Sequence, residues 1–163
     1  MVSVATAICA TVALGTAETL AQSANAVAQT PKAAHQATVD GHAMIGPSAG
    51  KWSPAGPGLS IAVLSGSPDR EGAPFVIRLK LETGTRIPPH WHPVDEHLTV
   101  VSGTFYMGTG ERFDEAGAAA LTAGTYAMMP KEVRHFGWTG VETIVQIHGV
   151  GPFKTYFVEQ LSK

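Results

Sequence analysis

The sequence predicts an all-β domain, built as an antiparallel sandwich or barrel. Short apolar runs alternate with turn residues along most of the chain, which is the pattern of paired strands. The 163 residues include 18 glycines and 11 prolines, enough to interrupt any long regular element. Helix-forming residues are sparse beyond the N-terminus, and only residues 111–120 are compatible with a short helix. A chain of this length suits a single domain.

Residues 1–28 are predicted to be an export signal. Residues 1–21 are small and apolar, and residues 24–26 and 26–28 both offer small-x-small cleavage sites. No Lys or Arg precedes the apolar stretch and Glu18 interrupts it, so an amphipathic N-terminal helix is the alternative. The stretch ends too early for a membrane span, which needs about 20 apolar residues. We therefore expect a periplasmic or secreted protein without a stable membrane anchor.

Composition excludes several classes of chemistry. Cys9 is the sole cysteine and lies inside the predicted signal, so disulfides, thiolate ligands and cysteine nucleophiles are excluded from the mature chain. The formal net charge is −2 and the charged fraction is 15%, with no cluster of Lys and Arg. Without such a cluster the chain has nothing to neutralise phosphates, and we expect no nucleic-acid partner.

Residues 29–52 are predicted to form a flexible N-terminal arm. They hold Pro31 and the turn-rich segment 46–50, and they carry His35 and His42. Two solvated histidines are the expected role of that pair. The folded domain is therefore expected to span residues 53–163.

Eight segments of this domain have the composition of short strands, and most of them end at Gly, Pro or Ser. They are Leu59–Leu64, Phe75–Leu81, His97–Val101, Thr104–Met107, Ala118–Leu121, Tyr126–Met129, Glu142–His148 and Lys154–Val158. No internal repeat is evident, so the domain is expected to be one unit.

Four residues in the domain form a candidate metal site: His90, His92, Glu96 and His135. Side chains two residues apart on a strand share a face, so His90 and His92 point the same way. Imidazole nitrogens and a carboxylate oxygen suit a divalent transition metal, and Fe, Mn, Cu, Ni and Zn all remain open. Protein ligands that leave one or two positions free make such a metal reactive.

The same alternation separates two neighbouring residues, Glu96 and His97. Glu96, Leu98 and Val100 are expected on one face of the next strand, and His97 on the other. A ligating Glu96 therefore excludes His97 from the metal, and Leu98 and Val100 are expected to fill the interior behind it.

The spacing around these ligands resembles the two sequence motifs of the cupin superfamily. The first motif is matched at every position, by Gly84, His90, His92, Glu96 and Gly103. The second is matched by Gly124, Pro130 and His135, while Glu132 stands where Gly is usual and Thr139 where Asn is usual. The chain is similar to small exported bacterial single-domain cupins. The resemblance implies a double-stranded β-helix barrel with one metal inside, and pairing into a homodimer.

Candidates for a substrate pocket follow from strand alternation. Arg86 shares a face with His90 if the strand is unbroken, although Pro88 and Pro89 can disturb it, and an inward Arg86 would bind a carboxylate. An arginine on the surface at the barrel end is the alternative. Gln146 and His148 share a face, which is either a substrate wall inside the barrel or solvated surface outside it.

Three functions remain open for such a centre. The first is a metal-dependent oxidoreductase, similar to a dioxygenase, that acts on a small organic substrate. The second is a metal-dependent lyase, isomerase or hydrolase, in which the metal polarises a carbonyl or activates water. Glu96 could then leave the metal and act as a base. The third is a non-catalytic module that binds a small ligand.

Overall fold

Thirteen strands and no helix make up the part of the chain that the computed structural model describes, residues 37–39 and 42–159. The all-β prediction is confirmed, and residues 111–118 form turns and irregular chain. The predicted export signal and His35 lie outside the described residues. Within the described ranges, no helix has the length and apolar character needed to cross a membrane.

The strands are short and follow one another closely. They are β1 (Ala37–Val39), β2 (His42–Met44), β3 (Ser53–Gly56), β4 (Leu59–Gly66), β5 (Pro74–Leu81), β6 (Arg86–Trp91), β7 (Glu96–Ser102), β8 (Thr104–Thr109), β9 (Ala119–Thr122), β10 (Tyr126–Met129), β11 (His135–Trp138), β12 (Thr143–Val150) and β13 (Tyr156–Phe157).

Two antiparallel sheets form the body of the domain. The larger has the strand order β10-β7-β12-β5-β4-β3, and the smaller has the order β13-β6-β11-β8-β9. The buried apolar side chains of the larger sheet are Phe75, Ile77 and Leu81 of β5, Leu98 and Val100 of β7, and Val145 and Ile147 of β12. These side chains pack together with Phe105 of β8 and form the hydrophobic core. The core therefore lies between the two sheets.

The predicted arm contains regular structure near its middle. Strands β1 and β2 pair as a separate two-stranded antiparallel sheet, in which His42 is exposed. The segment that follows is held against strand β5, because Arg78 donates from Nη1 to the carbonyl oxygens of Gly46 and Pro47, the latter at 2.9 Å. Gly46 and Pro47 therefore contact the domain rather than only preceding it.

Gly103, the last glycine of the first motif, lies where two strands approach each other closely. Its φ is +78°, and a Cβ at this position would lie 2.4 Å from Oγ1 of Thr143. Thr143 and Thr139 are fully buried, their hydroxyls are 2.7 Å apart, and Thr139 Oγ1 lies 2.9 Å from the carbonyl oxygen of Thr104. Thr139, which replaces the usual Asn, therefore joins the turn before β12 to the start of β8.

Candidate metal centre

The four predicted ligands come together in the interior of the domain. His90 lies near the end of β6, Glu96 begins β7 and His135 begins β11, and His92 follows β6 directly. All four are buried, between 2% and 6% exposed. One nitrogen of each histidine lies within 4.8 Å of the others. Glu96 Oε2 lies 3.1 Å from Nε2 of His135 and 3.9 Å from Nε2 of His92, so the carboxylate adjoins the same group.

Each histidine is held in one tautomer by the backbone. Nδ1 of His90 lies 2.7 Å from the carbonyl oxygen of Pro88, and Nδ1 of His135 lies 3.0 Å from that of Val133. Nδ1 of His92 lies 2.8 Å from the carbonyl oxygen of Lys154. Because a carbonyl only accepts, Nδ1 must donate in all three rings. Each Nε2 therefore keeps its lone pair, which is the arrangement that fixes histidine as a metal ligand.

Two polar atoms at the centre of this group are left without a partner. Glu96 Oε2 and His135 Nε2 are buried, and neither makes a hydrogen bond within the part of the chain that the structure describes. Their 3.1 Å separation lacks hydrogen-bond geometry. A buried polar atom without a partner is costly, and a divalent cation between the imidazoles and the carboxylate would satisfy both atoms. The donor set therefore fits the metal that the sequence predicts.

Burial and mutual proximity set the charges of the site. Burial, reinforced by the neighbouring His135, lowers the pKa of His90 to about 4. Burial also lowers the pKa of His92. For Glu96, burial raises the pKa, but the three histidines outweigh that effect and hold it below its usual value. These shifts favour neutral imidazoles at His90 and His92 and an ionised carboxylate at Glu96, which is the protonation that metal binding needs.

A cavity of about 250 Å³ adjoins the four ligands. Its wall comes from both sheets and is otherwise almost entirely apolar, with side chains such as Ile61, Leu79 and Met107. Thr155 is the one polar side chain other than the four ligands among the described residues that line it. A ligand bound at the metal would therefore extend into an apolar chamber.

One wall of this chamber is the C-terminal segment, which the sequence analysis did not include in the site. The ring of Phe153 stacks on that of His92 at 4.2 Å, and the ring of Phe157 lies 5.9 Å from that of His90. Phe153, Thr155 and Phe157 all line the cavity. The only sequence signal for this wall is their two-residue spacing after Gly151-Pro152, which indicates a short strand but not what it covers.

Arg86 does not reach the cavity. Gly137 and His135 on β11 pair with Ile87 and His90 on β6, so two steps on one strand oppose three on the other. This bulge at the prolines places Ile87, not Arg86, in the cavity wall. The Arg86 side chain is 63% exposed and forms an ion pair with Glu115. Its proposed role in binding a carboxylate substrate is therefore wrong for this cavity.

Gln146 and His148 also lie outside the cavity. On β12, Val145 and Ile147 are buried in the core and line the cavity, so the alternate residues face outward. Gln146 accepts a hydrogen bond from Arg78 Nε at 3.1 Å, beneath the segment before β3. His148 is exposed. Of the two alternatives that the sequence left open, the outer surface is the one observed.

Strand alternation predicted the faces of β7 correctly. Glu96, Leu98 and Val100 are buried, whereas His97 is only partly buried and faces outward. The Nδ1 atom of His97 lies 2.8 Å from the hydroxyl oxygen of Tyr126, and its ring stacks on His148 at 5.1 Å. His97 is therefore excluded from the candidate metal centre, as expected.

Comparisons with known proteins agree with this geometry. A family model described as the ChrR cupin-like domain matches residues 40–154. No curated protein sequence matches the chain significantly. The matched range begins ahead of the domain boundary expected at residue 53 and includes all four candidate ligands.

Solved structures share the fold at low sequence identity. The polyketide cyclase RemF from Streptomyces resistomycificus has a TM-score of 0.58 and 15% identity, covering 72% of this chain and 85% of its own. A Klebsiella pneumoniae protein with a double-stranded β-helix domain has a TM-score of 0.51 and 20% identity, covering 66% and 90%. An RmlC-like cupin from Shewanella frigidimarina has a TM-score of 0.50 and 18% identity, covering 69% of this chain and 86% of its own. The predicted double-stranded β-helix is thereby confirmed.

Proposed function

Because the chain belongs to the ChrR cupin-like family of the cupin superfamily, we propose that His90, His92, His135 and Glu96 hold one divalent transition metal. We further propose that the protein is a metal-dependent oxidoreductase, similar to a dioxygenase, acting on a small organic substrate. Fe, Mn, Cu and Ni fit this role, whereas Zn would favour non-redox chemistry.

The observation that carries the proposal is the convergence of unpartnered donor atoms on one point. Three imidazoles are fixed so that each Nε2 keeps its lone pair, and Glu96 Oε2 lies beside them without a hydrogen bond. A structural polar cluster would be expected to satisfy its own donors and acceptors. A cluster that leaves its lone pairs free, at the wall of a cavity, is typical of a site for a cation and a ligand.

The residues around the centre would support oxidation in three ways. A redox-active metal would supply oxygen-dependent chemistry next to the bound substrate. The histidines, each held by a backbone carbonyl, would keep the ligand geometry constant through a reaction. Among the described residues that line the cavity, Glu96 supplies the only negative charge, and it could accept a proton from a bound substrate. The apolar wall would exclude water from the reacting atoms.

The proposal is tested by metal content and oxygen consumption. We expect protein isolated from its native compartment to contain about one equivalent of Fe, Mn, Cu or Ni, and to consume oxygen with a small organic acid, phenol or thiol. His92→Ala should lose both the metal and the oxygen uptake, because it removes a ligand. His97→Ala is the matched control, since this outward histidine should leave both unchanged.

Three results would contradict the oxidoreductase. Native protein that carries only zinc and consumes no oxygen would exclude redox chemistry. Metal-dependent turnover under anaerobic conditions would favour a lyase, isomerase or hydrolase. Ligand binding that survives removal of the metal would favour a non-catalytic binding module.

A further inference from the structure

We propose that the cavity takes a small monoanionic chelating molecule with an apolar body, of the phenolate or enolate class, and rejects molecules that carry a second charge. This inference rests on the proposed metal centre and names the ligand class of the same site. It depends on the charge of the ligand set, the chemistry of the cavity wall and the cavity volume.

The ligand set leaves one positive charge to be neutralised. Each histidine directs its Nδ1 proton to a carbonyl and keeps Nε2 as an acceptor, so the three rings are neutral ligands. Glu96 is the one anionic member. A divalent ion with these four residues therefore carries a net charge of plus one. A single anionic oxygen from the bound molecule would bring the buried site to neutrality, which minimises the cost of burial.

The cavity wall offers nothing to a second charge. Among the described residues that line it there is no Lys or Arg, because the bulge in β6 turns Arg86 to the surface. Thr155 is the only polar side chain there apart from the metal ligands, and it is exposed to solvent. A carboxylate on the body of the molecule would lose its hydration without gaining a counter-ion, which is strongly unfavourable. The wall therefore selects an apolar body.

The volume limits the size of that body. The cavity measures about 250 Å³. A cavity of about 150 Å³ accommodates benzene, so simple scaling allows a molecule of about ten non-hydrogen atoms. One aromatic ring with a chelating group meets this limit, whereas a polycyclic molecule exceeds it.

Three hydroxamates that share one chelating group test the inference. Benzohydroxamate has an aromatic body, acetohydroxamate has a methyl group, and succinic monohydroxamate has a carboxylate. Their binding to the full chain loaded with cobalt(II) is measured by calorimetry and by the visible spectrum of the metal. We expect benzohydroxamate to bind at least about tenfold more tightly than acetohydroxamate, through burial of its ring. Succinic monohydroxamate should bind at least about tenfold more weakly than benzohydroxamate.

A pair of arginine variants isolates the effect of the wall. Ala55 lines the cavity and is exposed, so Ala55→Arg introduces a cation at a solvent-exposed part of the wall without displacing core side chains. We expect this variant to bind succinic monohydroxamate about tenfold more tightly than the wild type, through a charge-assisted hydrogen bond. Val63→Arg is the control, because Val63 is 51% exposed and does not line the cavity. It adds the same charge and should change nothing.

The outcomes separate this inference from the proposed function. Failure of the full chain to bind cobalt would overturn the metal centre, and the ligand class with it. If cobalt binds and changes its spectrum with succinic monohydroxamate as readily as with benzohydroxamate, the ligand class alone is overturned. Equal effects of the two arginine variants would show that overall charge, rather than the wall, controls selection.

Discussion

Glu132 has a backbone conformation that few residues other than glycine adopt. Its φ is 64°, and it is the one non-glycine residue with positive φ among those the structure describes. Its N–H donates to the carbonyl oxygen of His92 at 2.8 Å, which holds the turn before β11 against the end of β6. The left-handed conformation costs an L-residue about 1–2 kcal/mol. Glu132 therefore completes the turn of the second motif in a strained backbone conformation.

Replacing this residue by glycine should stabilise the protein. We expect Glu132→Gly to raise the free energy of unfolding by up to about 1 kcal/mol, because relief of strain exceeds the entropy that glycine adds to the unfolded chain. Urea unfolding of the metal-free protein measures the change. Glu142→Gly is the control, since Glu142 is exposed and lacks a positive φ. Glu142→Gly should lower the free energy of unfolding. An equal decrease in both variants would contradict the strain at Glu132.

At the scale of elements, the C-terminal segment is both a strand and a wall of the site. Among the strands that the structure describes, β13 pairs with β6 alone, and Val158 N–H donates to the carbonyl oxygen of Pro89 at 2.8 Å. Phe153 packs against the core, with its ring 5.2 Å from that of Phe75. The same segment supplies the Lys154 carbonyl that fixes His92. Its packing and the order of the metal site are therefore coupled.

Phe153→Ala should reveal that coupling. We expect a loss of about 2–4 kcal/mol in the free energy of unfolding, because a large, partly buried ring is removed from the core. Metal affinity should fall by about tenfold, since the carbonyl partner of His92 loses its support. Chemical unfolding and competition with a metal chelator measure the two effects.

Phe157→Ala is the matched control for that element. Phe157 lines the same cavity but is 59% exposed, so its truncation should cost less than about 1 kcal/mol. A Phe153→Ala protein with unchanged metal affinity would show that the segment packs without positioning His92.

The elements also show what the sequence could and could not predict. The ligands and the faces of β7 follow from local spacing, because alternation holds along an uninterrupted strand. On β6 the bulge at Pro88 and Pro89 adds one residue relative to β11. Arg86 therefore lies on the opposite face from the one that alternation predicts. Strand β11 was not predicted, because Gly137 weakens its apolar pattern. The glycine is needed there because a Cβ would lie 2.2 Å from the Phe105 ring. The Lys154 carbonyl is 62 residues from His92, beyond any local signal.

For the whole molecule, the buried ligand cluster makes the metal-free protein sensitive to acid. The pKa of His90 is lowered to about 4 in the fold, while an unfolded histidine has its ordinary value of 6.5. Between these values the unfolded chain binds more protons, so stability falls as the pH falls from about 6.5 to 4. The lowered pKa of Glu96 acts in the same direction at the acid end of this range.

We therefore expect the unfolding temperature of the metal-free protein to fall as the pH is lowered from 7 to 5. His90→Gln should reduce this dependence, because it removes a group whose protonation opposes folding. His148→Gln, at an exposed histidine, should keep the wild-type dependence. Calorimetry of the three proteins across this range measures it. Equal pH slopes for His90→Gln and the wild type would contradict a role for the cluster.

The bond from His92 to the carbonyl of Lys154 also sets an order of events during synthesis. A nascent chain that has emerged through His135 already contains all four metal ligands. It does not yet contain the carbonyl that selects the tautomer of His92. The hydrogen bond that fixes His92 can form only after translation has passed residue 154 and that segment has docked on β6. The backbone contact that selects the tautomer of His92 is therefore made later in synthesis than the four candidate ligands themselves.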